Sequence, residues 1–169
     1  MPAHRRRASA LLALLLIALA AGPAASAGPD AGWPLPGRPQ VVRVFDPPPQ
    51  PWLPGHRGVD LAARPGDAVL APMAGTVVVA GPVVDRGVVV VADGGRRIAL
   101  EPVEPAVAVG HRVQVGDVVG RVAGGASHCP ARSCLHWGLR VHGAYRDPLL
   151  LVLPLRPVLL PASPAPRRR

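Results

Sequence analysis

Not one of the 169 residues is a lysine, so the 19 basic residues are all arginine. Together with an excess of Ala, Gly and Pro, this reads as GC-rich coding bias, which weakens any argument from basicity alone. Large aromatics are nearly missing as well, with a single Phe and a single Tyr. A core must therefore be packed from Val, Leu and Ala, and 49% hydrophobic content supplies enough of them for one domain. No stripe of arginine interleaved with aromatics occurs, so nucleic acid is not expected as a partner. Six arginines sit in two terminal clusters, residues 5–7 and 167–169, and without them the formal charge falls from +9 to +3. What remains is a mildly basic domain with solvated surface arginines.

The only long apolar run of signal type is at the N-terminus. His4-Arg5-Arg6-Arg7 is a positive lead, residues 8–21 are Ala, Leu and Ile almost throughout, and Ala25-Ser26-Ala27 is a small-x-small cleavage pattern. These are the three parts of a secretory signal peptide, expected over residues 1–27. The run is shorter than the roughly 20 residues that span a bilayer. The mature chain is thus expected to be secreted, at the cell wall or cell surface, with membrane contact only where the segment stays uncleaved.

Residues 28–54 form a Pro-rich arm, with Trp33-Pro34-Leu35-Pro36 and Pro47-Pro48-Pro49 around one apolar stretch at 41–45. Proline removes ladder donors, so the arm is expected to wrap the domain and add at most an edge strand. The domain proper, residues 55–151, is a series of short Val-rich runs at 68–71, 75–80, 87–92, 97–100, 113–115, 118–122 and 136–141. Turn chemistry separates them: Arg64-Pro65-Gly66-Asp67, Gly81-Pro82, Asp93-Gly94-Gly95, Val109-Gly110, Val115-Gly116-Asp117 and Gly124-Gly125. Asp93-Gly94 signals a hairpin. Short strands at close spacing, with no helical periodicity beyond a turn or two, predict an all-β fold: a small barrel or sandwich of antiparallel sheets. The stretches 65–72 and 109–117 share a Gly, spacer, Val rhythm that hints at two similar half-motifs. Residues 152–169 are expected to be a Pro/Leu arm and basic tail, and prolines 154 and 157 exclude a membrane helix across the Leu-rich run 149–160, where a final strand is expected.

His56-Arg57-Gly58-Val59-Asp60 and Leu135-His136-Trp137-Gly138 carry the candidate chemistry. A glycine between His56 and Asp60 is expected to let the chain turn and return the carboxylate to the imidazole. His136 lies on a strand-like run on which Cys134, His136 and Gly138 share a face. Two imidazoles and a carboxylate are the ligand types of a catalytic zinc site with an open fourth position. Spacing alone does not single these three out in a chain with six histidines. Cys129 and Cys134 are the only cysteines, in a chain expected to be secreted, and a disulfide between them is the default. The alternative is Cys134 as a thiolate fourth ligand, which leaves Cys129 unpaired. His128 and His142 are near the site in sequence and offer themselves as further imidazoles, and His111 is placed in an exposed turn.

Further matches raise the weight of the triad. Gly55-His56-Arg57-Gly58-Val59-Asp60-Leu61-Ala62, Val69-Leu70-Ala71-Pro72-Met73-Ala74-Gly75-Thr76-Val77, the run from Val109-Gly110 to Val119-Gly120, Leu135-His136-Trp137-Gly138-Leu139-Arg140 and Asp147-Pro148 follow in order. From about residue 33 to residue 151 the sequence resembles the lysostaphin/LytM-type family of zinc metallopeptidases. The resemblance implies a barrel-like fold of antiparallel sheets, peptidoglycan cross-link peptide as ligand, and one zinc held by His56, Asp60 and His136. It also implies two departures. Active members carry a histidine where this chain has Cys134, and another where ungapped counting from Gly110 places Glu101. In the family these histidines polarise water and stabilise the oxyanion. Glu101 would serve as a general base but has no proton to give an oxyanion. Two functions follow: a peptidase-family domain acting on or binding cross-link peptides, or an inactive module that activates or scaffolds a cell-wall hydrolase. A biotinyl/lipoyl-type carrier, suggested by Ala71-Pro72-Met73-Ala74-Gly75, is excluded because it needs a lysine.

Overall fold

The computed structural model describes residues 30–50, 52–125, 129 and 133–153. The expected signal peptide, the terminal tail and His128 lie outside them. Eleven strands are described: β1 (Val41–Arg43), β2 (Gly58–Ala62), β3 (Ala68–Leu70), β4 (Gly75–Val83), β5 (Arg86–Asp93), β6 (Arg96–Glu101), β7 (Val103–Pro105), β8 (Arg112–Val113), β9 (Val118–Val122), β10 (Cys134–Val141) and β11 (Ala144–Arg146). One sheet runs β1-β2-β10-β6-β5-β4-β8 with β11 beside β10, and a second runs β3-β9-β7. Every pairing is antiparallel. The all-β architecture expected from the sequence is the one observed.

Alternation decides what faces in. Along β6, Ile98 and Leu100 are fully buried while Arg97 is exposed, and along β10 Leu135, Trp137 and Leu139 go inward while His136, Gly138 and Arg140 take the other face. The core is mostly Val and Leu around Trp137 and Met73, in line with the shortage of aromatics. Burying each Val or Leu contributes on the order of 1.5–3 kcal/mol.

Two turns that overlap the stretches 65–72 and 109–117 share one geometry. In Arg64-Pro65-Gly66-Asp67 and in Gln114-Val115-Gly116-Asp117 the glycine has φ near +90° (90° and 88°). In each, the aspartate N–H donates to the first residue's carbonyl (3.0 and 3.1 Å), and its Oδ2 accepts from that residue's N–H (2.7 Å in both). Each turn launches a strand, β3 or β9, and these two strands pair with each other.

Several expectations are corrected. Gly81-Pro82 is not a turn: β4 continues through it to Val83, and the chain reverses at Val84-Asp85. Beyond Thr76 one side of β4 has no strand partner, because β8 reaches only Gly75 and Thr76, so a proline without a donor is tolerated there. Asp93-Gly94-Gly95-Arg96 is the hairpin expected. The arm supplies the edge strand β1, but it also plants Leu35 in the core, 4% exposed, and sets Trp33 6.0 Å from Trp137, so it does more than wrap. The final strand expected in 149–160 is, in its described part, a 3-10 turn at Pro148–Leu151. Asp147 caps it, its Oδ1 accepting from Leu149 N–H at 2.9 Å, and Pro148 sits where a missing donor costs nothing.

The smaller sheet seats against the larger at a glycine. A Cβ on Gly87 of β5 would run into the Val103 carbonyl oxygen of β7, and within the smaller sheet one on Gly120 would run into that of Glu104, whereas Gly124 has open space. Gly87→Ala is expected to lower stability by about 1–3 kcal/mol through overpacking against backbone. Gly124→Ala should stay within about 0.5 kcal/mol. Urea unfolding of the two variants checks this, and equal midpoints would refute the packing role of Gly87.

Candidate metal centre

Asp60 is in the middle of β2, between Val59 and Leu61, which point into the core. His136 lies directly opposite it on β10, and Glu101 directly opposite His136 on β6. Residues in register on neighbouring strands share a face, so the three side chains form one row across three strands. His56 reaches the same row from outside the sheet. Its backbone bridges to Asp46 of the arm in both directions, at 2.7 and 2.9 Å, and the chain bends at Arg57 before β2 begins.

The glycine expected to make a turn between His56 and Asp60 does something else. Gly58 already belongs to β2, and the bend falls on Arg57. A Cβ on Gly58 would overlap the Trp137 carbonyl oxygen and come within 2.7 Å of His136 Nε2. Gly58 is needed so that the imidazole of His136 can lie flat against β2.

The result is a triangle of donor atoms. His56 Nε2 is 3.1 Å from Asp60 Oδ1 and 3.2 Å from His136 Nδ1, and His136 Nδ1 is 2.8 Å from Asp60 Oδ1. Zinc–ligand bonds of about 2.0–2.1 Å at tetrahedral angles put neighbouring ligand atoms about 3.3 Å apart. The triangle is one face of such a tetrahedron, slightly contracted. The tautomer of His56 fits too: Nδ1 donates to the Val44 carbonyl at 2.7 Å, which leaves Nε2 with its lone pair directed at the triangle. Two imidazole nitrogens and a carboxylate oxygen brought this close are a donor set that suits a cation. Asp60 is fully buried and His56 is 5% exposed, so water is a poor substitute for that cation.

Val44 is a functional group that the sequence reading missed. It acts through its carbonyl, which no side-chain pattern reports; the only hint was that residues 41–45 read as an extended edge.

Cys129 and Cys134 form a disulfide, with Cα atoms 6.1 Å apart and no free cysteine remaining. Cys134 shares the face of His136, as expected, but its sulfur is oxidised and is not a ligand. Cys129 Sγ lies 3.9 Å from Asp60 Oδ2, a contact without a hydrogen to donate. Glu101 is half-buried and lies 3.8 Å from Arg86, whose guanidinium is also 2.8 Å from Asp85. That hydrogen bond holds the Asp85 carboxyl below the ordinary carboxylate range and raises Arg86. His142 is no substitute imidazole. It sits past the far end of β10, six residues or about 20 Å along the strand from His136, and His111 is exposed in its turn.

Residues 54–148 match Peptidase family M23. An uncharacterised protein of Mycobacterium tuberculosis (strain ATCC 25618 / H37Rv) is 48% identical over 139 residues, which cover 79% of this chain and 56% of the relative. The chain thus spans little more than half the length of the curated relatives it matches. Among solved structures, a chain of the SpoIIIAH and SpoIIQ complex superposes with a TM-score of 0.61 at 22% identity, covering 72% of this chain and 99% of that one. The antimicrobial peptidase lysostaphin from Staphylococcus simulans does so with a TM-score of 0.56 at 23% identity, covering 68% and 49%. At these identities the likeness is one of fold.

Two outcomes follow from the geometry. Thiol titration of the denatured, unreduced protein should find no thiol, and two after reduction; thiols before reduction would remove the disulfide. Gly58→Ala should displace the His136 ring, lower stability by about 1–3 kcal/mol and shift the ring resonances of both His56 and His136 in NMR spectra. Unchanged ring shifts would show that the close approach of β2 and β10 does not set the triangle.

Proposed function

The chain belongs to peptidase family M23, and from that premise we propose that it is a secreted, extracytoplasmic domain that takes the cross-link peptides of peptidoglycan at a zinc site. The observation that carries the reading is the triangle of His56 Nε2, Asp60 Oδ1 and His136 Nδ1, with the His56 lone pair fixed by Val44. His56, Asp60 and His136 would hold the ion and would leave a tetrahedral zinc one ligand short. Zinc there would supply a Lewis acid that polarises a peptide carbonyl and acidifies a water.

The rest falls to the chain's own groups. Glu101, next to His136 in the row, is the carboxylate positioned to accept a proton from an attacking water. Arg86 lies 3.8 Å from the same carboxylate and competes for its oxygen. Cys134, in the disulfide, neither accepts a proton nor donates to an oxyanion. These two positions are the ones where the family resemblance implies histidines, and each such group is typically worth 10² to 10⁴ in rate, as an order of magnitude. They favour a second reading, in which the domain binds wall peptide or a cell-wall hydrolase without cutting, as an activating or scaffolding module. The segment 1–27 as signal, 28–54 as arm, 55–151 as the peptidase-family domain and 152–169 as tail complete the proposal.

Purified mature protein is expected to hold about one zinc per chain by elemental analysis. Asp60→Asn and His136→Ala should lower the content at least tenfold; a zinc-free wild type sinks the metal assignment. Release of new amino groups from purified peptidoglycan, lost with a chelator and in Asp60→Ala and reduced by Glu101→Gln, identifies a peptidase. Sedimentation with peptidoglycan but no release identifies the binding module.

A further inference from the structure

The face of the sheet that bears the metal centre continues away from it. Along β10 the residues sharing that face are His136, Gly138 and Arg140, and their register partners on β6 are Glu101, Ala99 and Arg97. Next to the donor triangle the surface is therefore floored by Gly138 and Ala99. Four residues from His136, about 13 Å along the strand, it ends at two arginines set directly opposite each other.

Like charges directly opposite on neighbouring strands destabilise a sheet. Neither arginine meets a carboxylate among the described residues, and Asp93, the acidic residue of the adjoining hairpin, is taken by Arg96 at 2.7 Å. Arg140 is held in place: Nε and Nη2 donate to the Gly143 carbonyl at 3.3 and 3.0 Å, and the Tyr145 ring lies 5.1 Å from its guanidinium carbon. The two arginines line a recess of roughly 310 Å³ between two hairpin turns. Gly94 and Gly95 form one wall and His142 and Gly143 the other, tied by His142 N–H donating to the Gly95 carbonyl at 2.7 Å. His142 has φ of +48°, an uncommon conformation outside glycine that carries its ring across to Gly95.

We propose that the Arg97/Arg140/His142 recess is a carboxylate-binding subsite, which holds a carboxylate of a peptide lying along this face of the sheet and passing over Ala99. Arg140, clamped through Nε and Nη2 and keeping its other guanidinium hydrogens, and the exposed Arg97 opposite it offer two cations to one anion, which also removes their mutual repulsion. The span matches an extended peptide, in which about four residues cover 13 Å. The subsite deepens the function proposed above and rests on its peptide ligand, but not on cleavage.

The test is NMR of the 15N-labelled protein, following the side-chain Nε–Hε resonances of Arg97 and Arg140. The probes are N-acetyl-tetraalanine as free acid, the same peptide as C-terminal amide, and inorganic phosphate. The free acid should shift both resonances saturably and bind at least tenfold more tightly than the amide. Arg97→Gln, at an exposed position, should bring the acid to the level of the amide. Equal binding of acid and amide, or an Arg97→Gln variant that binds the acid unchanged, overturns the subsite. Phosphate binding as tight as the peptide acid overturns its assignment to a peptide carboxylate. Sedimentation with purified peptidoglycan separates the two proposals. A protein that binds the peptide acid but does not sediment upholds the subsite and refutes the wall ligand, and one that sediments while both resonances stay unmoved does the reverse.

Discussion

The close approach of β2 and β10 at Gly58 is the constraint on which the site depends. With no Cβ at that position, the His136 imidazole lies against β2 and its Nδ1 comes within 2.8 Å of Asp60. The register that follows also sets Trp137 inward, where its ring fills the centre of a core otherwise built of Val and Leu. One contact thus orients a ligand on one face and the largest core side chain on the other. The second requirement comes from outside the sheet. The arm fixes His56 through Asp46 and Val44, so a segment that looks like packaging in the sequence sets the tautomer of a ligand.

Holding a cation and hydrolysing a peptide make different demands of this surface. The donor triangle buries a carboxylate completely, and a buried carboxylate costs several kcal/mol unless a cation or donors compensate it. In this fold the groups that face that carboxylate include the two imidazoles of the triangle. Proton transfer and oxyanion stabilisation need groups beside the triangle, and there the chain has a carboxylate drawn toward Arg86 and a sulfur locked in a disulfide.

Much of the architecture was legible because the turns announce themselves. Two x-x-Gly-Asp turns and Asp93-Gly94 mark strand starts and a hairpin by φ requirements that few other residues meet. The triad was legible as residue types, and only the register of β2, β10 and β6 shows that they meet. What escaped the sequence has physical causes. β2 is buried along nearly its whole length and lacks the polar alternation that signals a strand, and β7 is hidden by prolines tolerated at a sheet edge. Val44 contributes a carbonyl, and Gly58 contributes the absence of a side chain.

Alternation explains how the two demands come apart in one chain. Asp60, His136 and Glu101 are joined across strands, in a row that backbone hydrogen bonds fix. Cys134, Gly138 and Arg140 are joined to His136 along a strand, at steps of two, where a side chain changes without moving the register. A substitution along the strand therefore changes the surface next to the donor triangle and leaves the register that builds it intact. At one end of that line stands an oxidised sulfur, at the other a pair of arginines, and the glycine between keeps the floor low. Such a line sets the size and charge of the groups beside the donor triangle independently of the register that builds it.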